Sequence, residues 1–489
     1  MGTALLISDR RFILVLVAIA LARLFGMSVM PLMDTSEPRY AEVARIMAVT
    51  GDWITPWFEP GVPFWGKPPL SFWVQALSIK AFGVSELSVR LPSFIAIAML
   101  LTLVYRVAVI CYGRRTAQLA TLILSTMVLP LVSAGAVLTD PFLALGITLS
   151  MLAFYVAPLR PTLFWRYGFF IGISIGLLSK GPLAPVLIGV AILPWLMFQV
   201  DWRSRLSVFP WLSGSILALA LSLPWYIAAE IKTPGFLHYF IVGEHFLRFV
   251  DSGWNGDLYG TAHERPLGSI WIEFLVASMP WGLAGLILSL YYLISQRKEK
   301  LSFFFRQSGM TYLVAWAVAA PVFFTLSGNI LWTYVLPSLP AVSLLFARAA
   351  EPLLNMSLSR YSKFAVVLCL GLVPAASIAL GVVSLAEPNR LKTEKALVAA
   401  AAEKMKTGSN LYFVESRPFS ARFYSRGKAE LVPRDQLESI VQTERSGLVA
   451  VSNKNDLDFL RKLSVKLNPL FSSRRYNLYE FQWNGEGNF

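Results

Sequence analysis

Long apolar tracts alternate with short polar connections along the chain up to about residue 385. The first runs from Phe12 to Met30, and others follow at about 91–110, 117–134, 141–158, 167–179, 182–199, 209–229, 269–295, 309–326, 331–348 and 364–385. Judged against the roughly 20 residues a helix needs to cross a bilayer, these predict a mainly α, polytopic membrane protein of about 11–13 transmembrane helices. The upper count arises where short segments abut at Lys180 and near Asn329. The run Pro68–Gly83 is too short to span and carries Gln75 and Lys80, which predicts an amphipathic helix lying at the membrane surface. The first run is too long for the core of a signal peptide and has no small-residue cleavage site, which predicts a retained first span.

After about Glu387 the pattern changes. Short strand-like pieces (SNLYFV, AELV, GLVAVS, RRYNLYEF) alternate with helix-like ones (SARFYSRG, PRDQLESIVQ, NDLDFLRKL), predicting a small α/β domain over 386–489 behind a membrane domain over 1–385. Two polar stretches interrupt the membrane domain, at 34–90 and 230–268.

Composition agrees with this division. Of 489 residues, 56% are hydrophobic and only 15% charged, with mean hydropathy +0.58, more apolar than a soluble domain of this length needs to be. The net charge of +14 brings nucleic acid to mind, but its distribution gives another reading. Arg10 and Arg11 precede the first span, and Arg114, Arg115, Arg160, Arg166, Arg203, Arg205, Arg297, Lys298, Lys300, Arg306, Arg348, Arg360 and Lys363 fall in alternate connections. That is the bias of cytoplasmic loops. It sets both polar stretches and the C-terminal domain outside, and nucleic acid drops out as a partner. Cys111 and Cys369 lie at the end of one apolar run and inside another, so neither a disulfide framework nor a thiolate metal site is indicated.

The outward stretches carry the candidate chemistry. The first gathers Asp34, Glu37, Arg39, Glu42, Arg45, Asp52, Glu59 and Lys67 in a chain otherwise sparing with charge. The second holds all three histidines, His238, His245 and His263. On a helix His245 and Arg248 share a face, a pair able to hold a metal or an anion, with Glu244 adjacent; interfacial surface residues are the plainer alternative. Asp140 precedes Pro141 and caps a helix or serves a site, and Lys180 either snorkels or faces a cavity. Cations at Arg39, Lys67, Lys180 and Arg248 suit the phosphate of a lipid-linked sugar. Such a phosphate leaves readily once its charge is stabilised, while an acceptor hydroxyl needs a carboxylate to take its proton. Direct attack inverts the anomeric centre.

The motifs DTSEPRYAEVARIMAVTGDWITPW, FWGKPPLSFW, LTDP, LLSKGP, HYFIVGEHFLRF and TYVLPSLPA occur in an order that resembles the bacterial protein O-mannosyltransferase superfamily, the integral-membrane C-type glycosyltransferases. Within it the chain is similar to the lipid A aminoarabinose transferases and the galacturonosyltransferases of lipid A and lipopolysaccharide core. The resemblance implies the C-type fold, an inner-membrane enzyme whose site faces the periplasm, a polyprenyl-phosphate sugar donor, and a lipid A or core oligosaccharide acceptor. A protein Ser/Thr acceptor is the alternative, and a lipid-linked sugar flippase a further one. It implies a catalytic carboxylate in the first stretch, with Asp34 taken as base and Glu37 as rival, and a second acid at Asp140. It also implies phosphate-binding cations at Lys67, Lys180 and Arg248, and Tyr334 near the donor; Arg39 matches the arginine after the acidic pair. The chain departs from aminoarabinose transferases at Ser36-Glu37, where they carry Asp-Glu, and at Gly66-Lys67-Pro68, where they carry Glu-Lys-Pro. The second departure removes a ligand from any divalent metal held by His245 and Glu244. The stretch Ser327–Trp332 replaces a lysine-rich one, so the sugar need not be aminoarabinose.

Overall fold

The structure, a computed structural model, describes residues 8–251, 253–260, 263–294, 308–354, 360–406, 408–452, 454–463 and 465–483. Arg297, Lys298, Lys300 and Arg306 of the predicted cytoplasmic set lie outside the described residues. Every predicted span corresponds to helix. Among the described residues five helices are long and apolar enough to cross a membrane: Asp9–Val29, Glu86–Tyr112, Trp211–Lys232, Trp332–Ala350 and Arg360–Ala386. A sixth crossing results if Ile270–Ala277 and Trp281–Ile287, bent by 106°, form one span. Other predicted spans are shorter apolar helices, among them Asp140–Val156, Leu183–Met197 and Gly309–Phe324.

Burial explains one of the short ones. Asp140–Val156 is buried at every position but Tyr155, so protein rather than lipid surrounds it and its length is not tied to bilayer thickness. The helix Trp211–Lys232, by contrast, exposes Leu212, Ile216, Leu219 and Leu223 along one flank, as a lipid-facing helix should.

At the centre, Asp140–Val156 packs against Leu163–Lys180. Gly168, Gly172 and Gly176 recur every fourth residue on the second helix, a small-residue stripe that lets backbones approach. The approach requires it: a Cβ on Gly172 would run into the carbonyl oxygen of Gly146 and into Ser150, and one on Gly146 would lie 2.6 Å from the carbonyl oxygen of Gly172. The Ser150 hydroxyl donates to the carbonyl of Phe169 at 2.8 Å across the same seam. Because the two helices form a hairpin, the start of one and the end of the other meet at one end of the bundle. At the opposite end Asp9 pairs with Arg114 at 2.6 Å, which puts the N-terminus and the first basic connection together, as the charge distribution predicts.

The first outward stretch is more ordered than a loop. Ser36–Thr50 is a helix burying Tyr40, Ala41, Val43, Ala44 and Met47, and it ends at Gly51, whose φ of 71° favours glycine. Leu70–Phe82, the predicted surface helix, follows a two-stranded hairpin (Trp57–Glu59 with Val62–Pro63). The C-terminal region builds a five-stranded sheet in the order 429–432, 411–414, 446–451, 477–483, 465–472. The first three strands run parallel and the last two pairings are antiparallel. Its period-2 pattern fills two faces: Leu411 and Phe413 pack with Leu397 and Ala421, and Tyr412 and Val414 with Leu437, Val441 and Leu460.

Candidate active site

A cavity of about 930 Å³ opens at the end of the bundle where the central hairpin, the first outward stretch and the second outward stretch meet. Asp34, Glu37, Arg39, Lys67, Asp140, Lys180, Glu244, Arg248 and Tyr334 all line it, so nearly every residue singled out in the sequence converges there. One part of its lining is apolar, with Met27, Met30, Leu131, Leu372, Val373 and Leu380. The other is densely charged.

The charged flank is built from pairs. Lys180 Nζ lies 2.7 Å from Asp140 Oδ1, both side chains nearly fully buried, and 4.6 Å over the ring of Tyr334. Lys180 is therefore no snorkelling lysine; it reaches inward to a carboxylate. Lys67 Nζ lies 2.9 Å from Glu244 Oε2, and Arg248 Nη1 reaches Glu244 Oε1 at 3.0 Å and Asp257 Oδ2 at 3.3 Å. Burial opposes the charged form of Glu244, but Lys67 and Arg248 outweigh it and hold its carboxyl down at about 2. Burial likewise opposes the Lys67 ammonium, and Glu244 raises it above the ordinary lysine value.

The second outward stretch folds differently from the expected α-helix. His238–Leu247 is π-helical. Arg248 meets Glu244, and His245 lines a smaller hollow with both of them, its Nδ1 2.7 Å from the Phe240 carbonyl oxygen and its Nε2 2.9 Å from that of Lys180. Burial lowers the His245 pKa, against the pull of these two carbonyls. His238 is exposed, and His263 lines the main cavity apart from His245. Glu244 and His245 do not fit a divalent metal as disposed here. Both Glu244 oxygens are held by cations, both imidazole nitrogens face oxygens, and among the described residues no three His, Cys, Asp or Glu side chains form a metal-binding group.

The three candidate acids differ in what their oxygens do. Asp34 Oδ1 accepts from the Ser420 amide at 2.8 Å, and Oδ2 accepts from the Ser420 hydroxyl at 2.7 Å and Arg475 Nη1 at 2.8 Å. Glu37 accepts from Arg90 through both oxygens, at 3.1 and 2.7 Å, and from the Val137 amide at 3.1 Å. Asp140 Oδ2 accepts no hydrogen bond among the described residues. Arg39 is the cation of the set with no carboxylate partner among the described residues; it donates to the Tyr259 carbonyl and lies 5.3 Å and 5.6 Å from the ring centres of Tyr40 and Phe419.

Several site residues escaped the sequence reading. Arg90, within the span Glu86–Tyr112, binds Glu37 and the carbonyls of Met27, Met30 and Pro31, and a charge inside an apolar run was signal enough to find it. Asp257 and Tyr259 sit in an irregular segment with no periodicity to mark them. Tyr259 braces the hairpin, donating to the Pro63 carbonyl at 2.8 Å and accepting from the Trp65 amide at 2.9 Å. Ser420, Phe419 and Arg475 arrive from the C-terminal region, some four hundred residues from Asp34 in sequence.

A helical membrane bundle with a charged cavity at one end and a small C-terminal sheet domain has the C-type glycosyltransferase fold, as the following likeness shows. A solved structure of ArnT from Cupriavidus metallidurans bound to undecaprenyl phosphate superimposes with a TM-score of 0.77, covering 97% of this chain and 98% of that one at 18% identity. Residues 10–240 match the family described as dolichyl-phosphate-mannose-protein mannosyltransferase. Among curated relatives, an undecaprenyl phosphate-α-4-amino-4-deoxy-L-arabinose arabinosyl transferase 2 of Sodalis glossinidius is 34% identical over 338 residues, covering 68% of this chain and 58% of its own. The corresponding transferase of Serratia proteamaculans is 29% identical, covering 69% and 59%. The chain thus matches somewhat less than three-fifths of the length of these relatives.

Proposed function

We propose that the protein is an inverting glycosyltransferase of the inner membrane, moving a sugar from a polyprenyl-phosphate donor to lipid A or lipopolysaccharide core at the periplasmic face. The observation that carries this reading is the two-sided cavity, in which an apolar flank adjoins Lys67, Lys180, Arg248 and an acid with a free oxygen. A prenyl chain suits the methionine and leucine flank, and a phosphate suits the cations. The names of the curated relatives support the donor class.

In the proposed reaction the acceptor hydroxyl attacks the anomeric carbon and passes its proton to Asp140 Oδ2. The bond from that carbon to the phosphate oxygen breaks, and the phosphate leaves with the electron pair, its charge held by Lys67, Lys180 and Arg248. Lys180 keeps Asp140 in place through Oδ1 and leaves Oδ2 open. Asp34 and Glu37 have their oxygens filled by donors and act as supports, so the role of base moves from Asp34 to Asp140.

Two measurements test this. Lipid A and core oligosaccharide from cells with and without the gene, compared by mass spectrometry, should differ by one glycosyl residue; identical masses reject the acceptor class. Asp140→Asn should lower the kcat of the folded protein by about 10²–10⁴-fold, the usual contribution of a general base, and should also lower the melting temperature, because the buried Lys180 ammonium loses its carboxylate. A kcat within threefold of wild type removes Asp140 as base.

A further inference from the structure

We propose that Arg475 is a positioning residue of the transfer site: it holds Asp34, and through Asp34 the cavity-facing start of the helix Ser36–Thr50, in a clasp whose strength depends on the buried carboxyl of Glu394. This rests on the glycosyl-transfer reading for its functional meaning. The clasp itself stands on geometry. Besides the three hydrogen bonds to its carboxylate, Asp34 donates its backbone amide to the Lys392 carbonyl at 2.9 Å, so one residue of the first outward stretch is tied to the C-terminal region four times. The Asp34 side chain is only 2% exposed. Directly after it come Glu37 and Arg39, both on the cavity wall, and Phe419, next to Ser420, lies against the Arg39 guanidinium. Moving Asp34 moves Arg39.

Glu394 is the unusual member. Its side chain is wholly buried, 3.4 Å from Arg475 Nε, and its Oε1 accepts no hydrogen bond. The groups facing it are Arg475, Asp34, the hydroxyls of Ser473 and Tyr476, and Ser420, whose hydroxyl accepts from the Glu394 amide at 3.0 Å. Lys395, the next residue, is spent on Glu86 at 2.5 Å. Two acids therefore share one guanidinium, and when both are ionised a net negative charge is buried. Burial, reinforced by Asp34 and opposed by Arg475, pushes the Glu394 carboxyl up to about 7. For an acid raised on clasp closure, the stabilisation is full below the ordinary carboxylate range, declines as pH rises, and levels off above about 7.

The experiment is amide hydrogen exchange of residues 34–45 on the full-length protein in detergent, corrected for intrinsic rates, at pH 5 to 8, alongside donor kinetics. Wild-type protection should fall at least about tenfold from pH 5 to pH 7.5, consistent with a shift of more than one pH unit. Glu394→Gln should hold the acid value throughout. Arg475→Gln should lose protection at every pH and raise the apparent donor KM about tenfold with kcat within threefold, as expected of a misplaced binding group, and Arg475→Lys should recover part of it. A Glu394→Gln profile that matches wild type, or Arg475→Gln with unchanged protection and KM, overturns the proposal. Exchange that behaves as expected in a protein that transfers no sugar would reject the transfer reading and leave the clasp standing.

Discussion

Replacing Lys67 by methionine isolates what one cation does for the donor. Lys67, Arg248, Glu244 and Asp257 form a cluster of two cations and two anions, neutral as a whole, so losing Lys67 leaves one net negative charge beside the proposed phosphate position. With an effective dielectric of about 20 and a separation of about 6 Å, one unit charge acting on a phosphate is worth roughly 3 kcal/mol. That corresponds to a donor dissociation constant weakened by about 30–150-fold. The fold should survive, because Glu244 keeps Arg248 at 3.0 and 3.2 Å and is not left as an unpaired buried charge. Titrating purified protein with undecaprenyl phosphate, wild type against Lys67→Met, reads the constant directly, with thermal unfolding as control. A constant within threefold of wild type, in a protein whose melting temperature moves less than about 2 °C, would refute the phosphate role of Lys67 and the charge bookkeeping behind it.

Gly172→Leu should destabilise the bundle by about 1–3 kcal/mol or more, because any side chain there meets the Gly146 carbonyl and Ser150; an unchanged melting temperature in detergent would show that the hairpin is looser than described. Glu244 gives a pH prediction of definite sign. Its carboxyl is held below the ordinary range, so its contribution is present above that range and fades only as pH falls through about 2. Donor affinity should therefore show no titration attributable to Glu244 between pH 5 and 8, and a step in that window that vanishes in Glu244→Gln would contradict the pairing.

Much of the fold was legible because lipid and core impose simple patterns. Apolar length marked the spans, basic residues marked one end of the bundle, and strand-like pieces marked four of the sheet's five strands, while 465–472 escaped. The sequence also located the cavity, since charges are rare enough in this chain that those at Lys67, Asp140, Lys180 and Arg248 had to find partners. Pairing was harder to read. Arg248 is paired with Glu244, four residues before it, while the two ring nitrogens of His245, three residues before it, are taken by the Phe240 and Lys180 carbonyls. Asp34 looked like a free acid because its partners, Ser420 and Arg475, lie in another part of the chain, and no local pattern announces a contact made across 386 and 441 residues.

The pairing of Asp140 with Lys180 has a consequence for biogenesis. Each is an ion that a bilayer rejects on its own, yet they sit only 40 residues apart at the two tips of one hairpin. When the second helix folds back on the first along the glycine seam, the opposite charges neutralise each other before either needs a neighbour from elsewhere in the chain. The hairpin can thus enter the membrane as a finished electrostatic unit, with the proposed base and its lysine already joined while most of the polypeptide has yet to be made.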